Sequence, residues 1–381
     1  MVDMKKIKVA EPCVDEKEVD AVKEVLLSGR YASGPKVQEF EEKFAEYIGV
    51  KYAVAVNSGT AALHLSLASI NLEPGEEVIV PAMTFFATAS AVIHQGGIPV
   101  FCDVDNNYCM DPRDLKKRIT AKTKAIIPVH LYGYAANMRD ILRIAKEHDL
   151  KVIEDCAQGI GTEIDSRKVG QFGDCGAFSF FATKNMTTGE GGIITTDNEE
   201  IAKHARVLRS HGMTNRNNHE FIGYNYRMGE INAAIGIIQL EKLPEMNRKR
   251  IENSEYLIEN LKDVDWLVIQ KHPDNVVHSY FWCPVFVNEE KIGMTTKELR
   301  EHLLEKGIET RHRYNEPLYK QKALSKKTIC KHFCPNKTID YDAEFLPNAD
   351  NYSGKMISLP NHPKLKKEDL NYIIQVIKQI V

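Results

Sequence analysis

The sequence predicts an α/β protein: a mostly parallel sheet covered by helices on both faces, with a smaller α/β domain at the C-terminal end. Three observations carry this. Between residues 53 and 201, short apolar runs alternate with helix-length segments, the spacing of parallel strands joined by crossovers. A long helical stretch, about 230–261, then separates this region from mixed strand and helix sequence. The 381 residues suffice for about two domains, and the division falls at 1–245 and 246–381.

The elements follow in order. Val19, Val22 and Leu26 share a helical face that closes at Ser28-Gly29-Arg30, and Val37, Phe40, Phe44 and Tyr47 mark a second helix after the Gly34-Pro35 turn. Strands are expected at 53–56, 78–80, 99–103, 125–128, 152–154, 176–180 and 193–195, with helices at 60–70, 86–94 and 141–147. Beyond the long helix, 280–287 reads as a strand. Thr295 and Glu298 form a capping box before Leu299, Leu303 and Leu304, and Gly307 ends that helix. Leu370, Ile373, Ile374, Ile377 and Ile380 line one face of a last helix. Residues 320–350 are polar and weakly patterned and read as a loop or insertion.

Composition narrows the function. A net charge of −3 gives no global basic field, so no nucleic-acid partner is expected. No apolar run nears the roughly 20 residues of a membrane helix, and the first residues lead into charged sequence. A cytoplasmic protein without a membrane partner is the expectation. Eight cysteines are scattered along the chain and read as reduced thiols. Cys330, His332 and Cys334 have zinc-like spacing, but no second ligand pair stands near them, so no metal site is assigned.

Lys184 is the residue on which the chemistry turns. It follows a short apolar strand and precedes Gly189-Glu190-Gly191-Gly192, with Asp155 upstream at the end of another strand. A lysine so placed can form a Schiff base with an aldehyde cofactor while the acid holds a pyridinium nitrogen. Desolvation would release the proton from the amine, and an opposite charge would offset the cost of burying Asp155. A solvated loop lysine and a capping aspartate are the bland alternatives. Asn57-Ser58-Gly59-Thr60 lies between a strand and a helix, where backbone amides bind phosphate, or simply cap the helix. Gln158 could reach a ring oxygen and Ser179 a phosphate, or each could bond its own turn. One of Phe85 and Phe86 could lie on a ring, with core packing as the other use.

Together these segments resemble the DegT-type sugar aminotransferases, which are fold-type I, aspartate aminotransferase-like enzymes dependent on pyridoxal 5′-phosphate (PLP). The resemblance rests on 57–63 (Asn-Ser-Gly-Thr-Ala-Ala-Leu), 81–88 (Pro-Ala-Met-Thr-Phe-Phe-Ala-Thr), 130–133, 154–158, 179–192 and 223–228. It implies that Lys184 carries the cofactor and shuttles a proton, and that Asp155 pairs with the pyridine nitrogen. Gln158 bonds the ring hydroxyl, Gly59, Thr60 and Ser179 hold the phosphate, and Phe85 stacks on the ring. Asn225 would reach the cofactor of the neighbouring subunit in a homodimer. Arg311, His312 and Tyr314 lie where relatives contact the sugar. Some members carry histidine in place of this lysine and act as dehydratases, so Lys184 supports transamination. Pro317-Leu318-Tyr319 stands where many relatives have Pro-Leu-His, and the stretch from Cys330 to Asp350 is longer than usual.

The activity expected is transfer of an amino group from glutamate to a nucleotide-linked keto sugar, a 4-keto-6-deoxy hexose above others, in amino-sugar and polysaccharide biosynthesis. A PLP-dependent sugar dehydratase or lyase, and a non-catalytic ligand-binding regulator on the same fold, are the alternatives.

Overall fold

The structure is a computed structural model that describes residues 6–215, 217–325, 340–341 and 344–380. Its centre is a seven-stranded sheet of β1 (Tyr52–Val56), β2 (Glu77–Pro81), β3 (Ile98–Cys102), β4 (Thr123–Ile126), β5 (Lys151–Asp155), β6 (Cys175–Ser179) and β7 (Gly192–Thr196). The order is β1-β7-β6-β5-β4-β2-β3, and β7 alone runs antiparallel to its neighbours. These strands are buried along almost their whole length, which is why they read as unbroken apolar runs and not as alternating ones.

Helices α1 (Glu16–Ser28) and α2 (Pro35–Ile48) precede the sheet. Within it come α3 (Gly59–Ser69), α4 (Ala87–His94), α5 (Pro112–Arg118), α6 (Met138–Glu147) and α7 (Glu199–Arg209). The inward face of α1 differs from the apolar one expected. Glu18 and Val25 are buried, while Val19 and Leu26 are exposed. Glu18 closes a capping box with Asp15 and accepts bonds from Lys242 Nζ and from Gln239 Nε2, so its burial is charge-compensated by Lys242.

Helix α8 runs without interruption from Glu230 to Leu261 and leads into a second, antiparallel sheet. That sheet has the order β8-β9-β11-β10: β8 (Leu267–Val268), β9 (Cys283–Val287), β11 (Met356–Leu359) and β10 (Arg311–His312). Helices α9 (Thr296–Glu305), with the expected capping box, and α11 (Lys367–Lys378) pack around its core. The proposed division at residue 245 falls inside α8. Ile7 packs with the core of the smaller sheet, and Leu318, Tyr319, Leu324, Tyr341 and Leu346 pack into that of the large one.

The described parts of 320–350 are therefore not a free loop. Tyr341 donates to the carbonyl of Pro99, and the Asp103 carboxylate accepts the amides of Asn348 and Ala349 at the start of α10 (Pro347–Tyr352). The burying residues are aromatic and irregularly spaced, so no helix or strand period announces them. The zinc-like trio Cys330, His332 and Cys334 lies outside the described residues. No helix of the described residues is long and apolar enough to cross a membrane.

Candidate active site

The carboxyl ends of β1, β5 and β6 point to one side of the large sheet, where ligands of such sheets collect. A cavity of about 310 Å³ opens there. It is lined by Gly59, Thr60, Phe85, Asp155, Gln158, Ser179, Lys184, Arg311 and Tyr314, so nine of the residues singled out from sequence meet in one place.

Asp155 ends β5 and is buried. Its Oδ2 accepts from Thr88 Oγ1 at 2.8 Å, and Oδ1 accepts from the amide of Ala157 at 3.1 Å. Thr88 is in turn within 3.1 Å of Thr84 Oγ1. Burial raises the Asp155 pKa, while the Thr88 hydroxyl, the Ala157 amide and the charge of Lys184 pull it down. A dry carboxylate of this kind is suited to a cation placed directly against it.

Lys184 sits in a loop that closes on itself between β6 and β7. Thr188 N and Thr187 Oγ1 both donate to the carbonyl of Phe180, and Gly189, at φ 80°, turns the chain back. Asn185 next to it donates to Asn247 Oδ1 of α8 at 2.8 Å and to the carbonyl of Ser279 at 3.1 Å. The lysine Nζ lies 4.4 Å from the centroid of the Phe281 ring. Burial lowers its pKa to about 8, with Asp155 opposing the shift and Arg313 adding to it. An amine so depressed has a far larger neutral fraction near pH 7 than a solvated lysine.

At the start of α3 the two readings of the turn both hold. Ser58 Oγ accepts from the Ala61 amide at 3.1 Å and so caps the helix. The amides of Gly59 and Thr60, in the first turn, have no partner among the described residues and can meet an anion in the cavity. A Cβ at Gly59 would stand 2.6 Å from Ser179 Cβ, so only glycine lets the helix start touch the end of β6.

Gln158 is held at both ends: Oε1 accepts from the Tyr132 amide at 3.0 Å and Nε2 donates to Tyr314 Oη at 2.9 Å. Of the two phenylalanines, Phe85 lines the cavity and Phe86 packs against the core.

Two candidate residues stand apart. His312 points away and shares a 2.9 Å hydrogen bond with the carbonyl of Gly354, as expected where Arg311 and Arg313 face the cavity on either side of it in an extended chain. Asn225 is exposed and does not line the cavity; its carbonyl accepts from Asn57 Nδ2. Sequence reasoning passed over Thr88, Phe281, Trp282 and Arg313. Thr88 lies within a quoted motif, in the first turn of α4 and four residues after Thr84, which precedes the helix. Phe281 and Trp282 belong to the run 280–287 that reads as strand in the sequence, but the strand begins only at Cys283 and leaves both rings ahead of it.

Beneath Asp155, the buried His130, Glu154 and Cys156 bring potential ligand atoms together. Glu154 is already satisfied: it accepts the amides of Gly170, Phe172 and Gly173, and His130 Nε2 lies 3.1 Å away. Because His130 Nδ1 accepts from the Ala136 amide, Nε2 carries the proton given to Glu154.

This fold and cavity are those of an aminotransferase. Residues 12–378 match the DegT/DnrJ/EryC1/StrS aminotransferase family, and the chain belongs to it. It is 38% identical over 385 residues to the spore coat polysaccharide biosynthesis protein SpsC of Bacillus subtilis, covering 97% of this chain and 96% of that protein. It is 37% identical over 380 residues to the GDP-perosamine synthase of Escherichia coli O157:H7, covering 99% of each. Among solved structures it resembles Helicobacter pylori PseC, an aminotransferase involved in the biosynthesis of pseudoaminic acid, with TM-score 0.89, 30% identity and 99% of both chains covered.

Proposed function

We propose that this protein transfers an amino group from glutamate to a keto sugar carried on a nucleotide, using pyridoxal 5′-phosphate, in amino-sugar and polysaccharide biosynthesis. The observation that carries the reading is the meeting of Lys184, with its depressed pKa, and the buried Asp155 in one cavity at the sheet's carboxyl edge. The likeness to GDP-perosamine synthases favours a 4-keto-6-deoxy hexose as acceptor.

The residues present fit the cofactor. The free amides of Gly59 and Thr60 and the hydroxyl of Ser179 form a phosphate cradle, and Asp155 supplies the buried acid that a protonated ring nitrogen requires. Gln158 would bond the ring hydroxyl, Phe85 would cover the ring, and Lys184 would hold the aldehyde carbon. When bound, the cofactor supplies an electron sink and carries the amine between two half-reactions.

The chain's own groups do the rest. Lys184 Nζ takes the proton from the donor's α-carbon and later returns one to the sugar carbon, a task suited to an amine of pKa near 8. Thr88 fixes one oxygen of Asp155 and favours its ionised form. Phe85, Phe281 and Trp282 present apolar surface that limits water around the reacting carbon.

The working unit in this reading is a cytoplasmic homodimer in which Asn225 of one copy reaches the cofactor phosphate of the other. The exposure of Asn225 beside Phe221 and Ile222 supports it. Light scattering of the purified protein would return a monomer mass if the dimer is wrong.

The central test is a glutamate-coupled assay over a panel of keto-sugar nucleotides, with products identified by mass and NMR. Formation of 2-oxoglutarate and an amino sugar in equal amounts is expected. Loss of water or release of ammonia without net amine transfer would replace the reading with a lyase or dehydratase. A protein that remains colourless in PLP would remove the cofactor and leave a ligand-binding regulator.

A further inference from the structure

We infer that Arg313 binds the α-carboxylate of the amino donor. The inference rests on the functional reading above and assigns a subsite within the same cavity.

Two guanidinium groups, of Arg311 and Arg313, line the cavity, and among the described residues neither forms an ion pair. They are not equivalent. Arg311 lies 5.9 Å from the Trp282 ring centroid, with Nε enclosed and without a hydrogen-bond partner. Arg313 lies 6.0 Å from the centroid of Phe85, the residue proposed to cover the cofactor ring.

The backbone of Arg313 is fixed on both sides while its side chain is left open. Its carbonyl accepts from Tyr132 Oη at 2.5 Å, and the next residue, Tyr314, is tied by its hydroxyl to Gln158. The guanidinium is thus aimed by rigid neighbours, the arrangement that lowers the ordering cost of binding.

Chemistry then decides which anion it meets. The donor's α-carbon must come to Lys184 Nζ, and its carboxylate is one bond from that carbon. The cation that serves it must therefore be close to the amine. Of the two arginines, Arg313 is the one that stands against Phe85, the residue proposed to cover the cofactor ring, and its charge also bears on Lys184. A phosphate of the sugar nucleotide is separated from its reacting carbon by the sugar ring and belongs farther out. A planar guanidinium can meet a carboxylate with two parallel N–H donors.

The test uses the PLP-loaded protein and follows the cofactor absorbance during the half-reaction with L-glutamate. Arg313→Gln should raise the half-saturating glutamate concentration about 10- to 100-fold, the range for losing a charged hydrogen-bonded contact, with a smaller change in maximal rate. Arg313→Lys should recover part of that loss. Calorimetry on the pyridoxamine-loaded protein should show 2-oxoglutarate weakened by a similar factor. Unaltered glutamate saturation in Arg313→Gln overturns the inference, as does a loss confined to the sugar-nucleotide half-reaction, which would give Arg313 to the acceptor. A wild-type protein that takes up PLP but is not discharged by glutamate would instead sink the choice of donor itself.

Discussion

The floor of the cavity, made by the strand ends of the large sheet, has its polar groups tied down, whereas the wall made by residues 281–282 and 311–314 leaves its cations open. Asp155 accepts from Thr88 and Ala157, and Gln158 is bonded at both amide atoms. Across from them Arg311 and Arg313 stand against aromatic rings and, among the described residues, form no ion pair. A satisfied floor holds one cofactor in one pose. An unsatisfied wall offers donors to whatever anion arrives. Reaction type should follow the floor, and substrate the wall.

Substitutions can break that distinction. Lys184→Ala should abolish turnover and remove the borohydride-stable label from the peptide containing position 184; labelling elsewhere would show that the floor had been misassigned. Asp155→Asn should retain bound cofactor and lose on the order of 10³-fold or more in rate with every substrate, because the ring nitrogen loses its counter-charge. Equal activity for the two proteins in a steady-state assay would contradict this. Trp282→Ala should behave differently, raising KM for the acceptor by roughly tenfold through lost aromatic contact while the glutamate half-reaction changes less. A uniform loss in both half-reactions would erase the boundary between floor and wall.

Smaller effects sharpen the picture of the floor. Thr88→Val removes a donor that lowers the Asp155 pKa, so the acid limb of the pH–rate profile should move to higher pH, with about a tenfold loss below it. A profile that stays in place would mean that Thr88 does not act on the carboxylate. Lys184 gives a test without turnover. Its neutral fraction at pH 7 should exceed that of an ordinary lysine by roughly 300-fold. Capture of PLP by the apoprotein should therefore accelerate as pH rises towards about 8 and level off above it. A rate still climbing at pH 10 would show an unperturbed amine.

Much of the floor was legible in the sequence because both faces of the sheet are covered. Continuous apolar runs marked the strands, and Asp155 stood out as an acid at the end of one. Lys184 was legible only through its motif, since its burial depends on how the loop between β6 and β7 folds back. The wall was harder to read. Phe281, Trp282 and Arg313 come from distant parts of the chain, and nothing local to them says they will share a cavity. The misreading of α1 has the same cause. Glu18 is turned inward by Lys242, which lies 224 residues away in sequence, so the local apolar stripe pointed the wrong way. Helix α5 (Pro-Arg-Asp-Leu-Lys-Lys-Arg) was missed because it buries only Leu115, although Asp111 and Pro112 mark its start. Helix α7 was also missed, despite Asn198 at its cap and Ile201, Ala202, Ala205 and Leu208 buried along one side.

The side chain of Asn185 has a mechanical consequence. One amide group joins the loop bearing the reactive amine to the helix that bridges the two sheets and to the chain that delivers Phe281 and Trp282. Shearing one lobe against the other would strain this brace before it widened the entrance. The loop that bears the amine is in this way coupled to that helix and to the segment of Phe281 and Trp282 by one side chain.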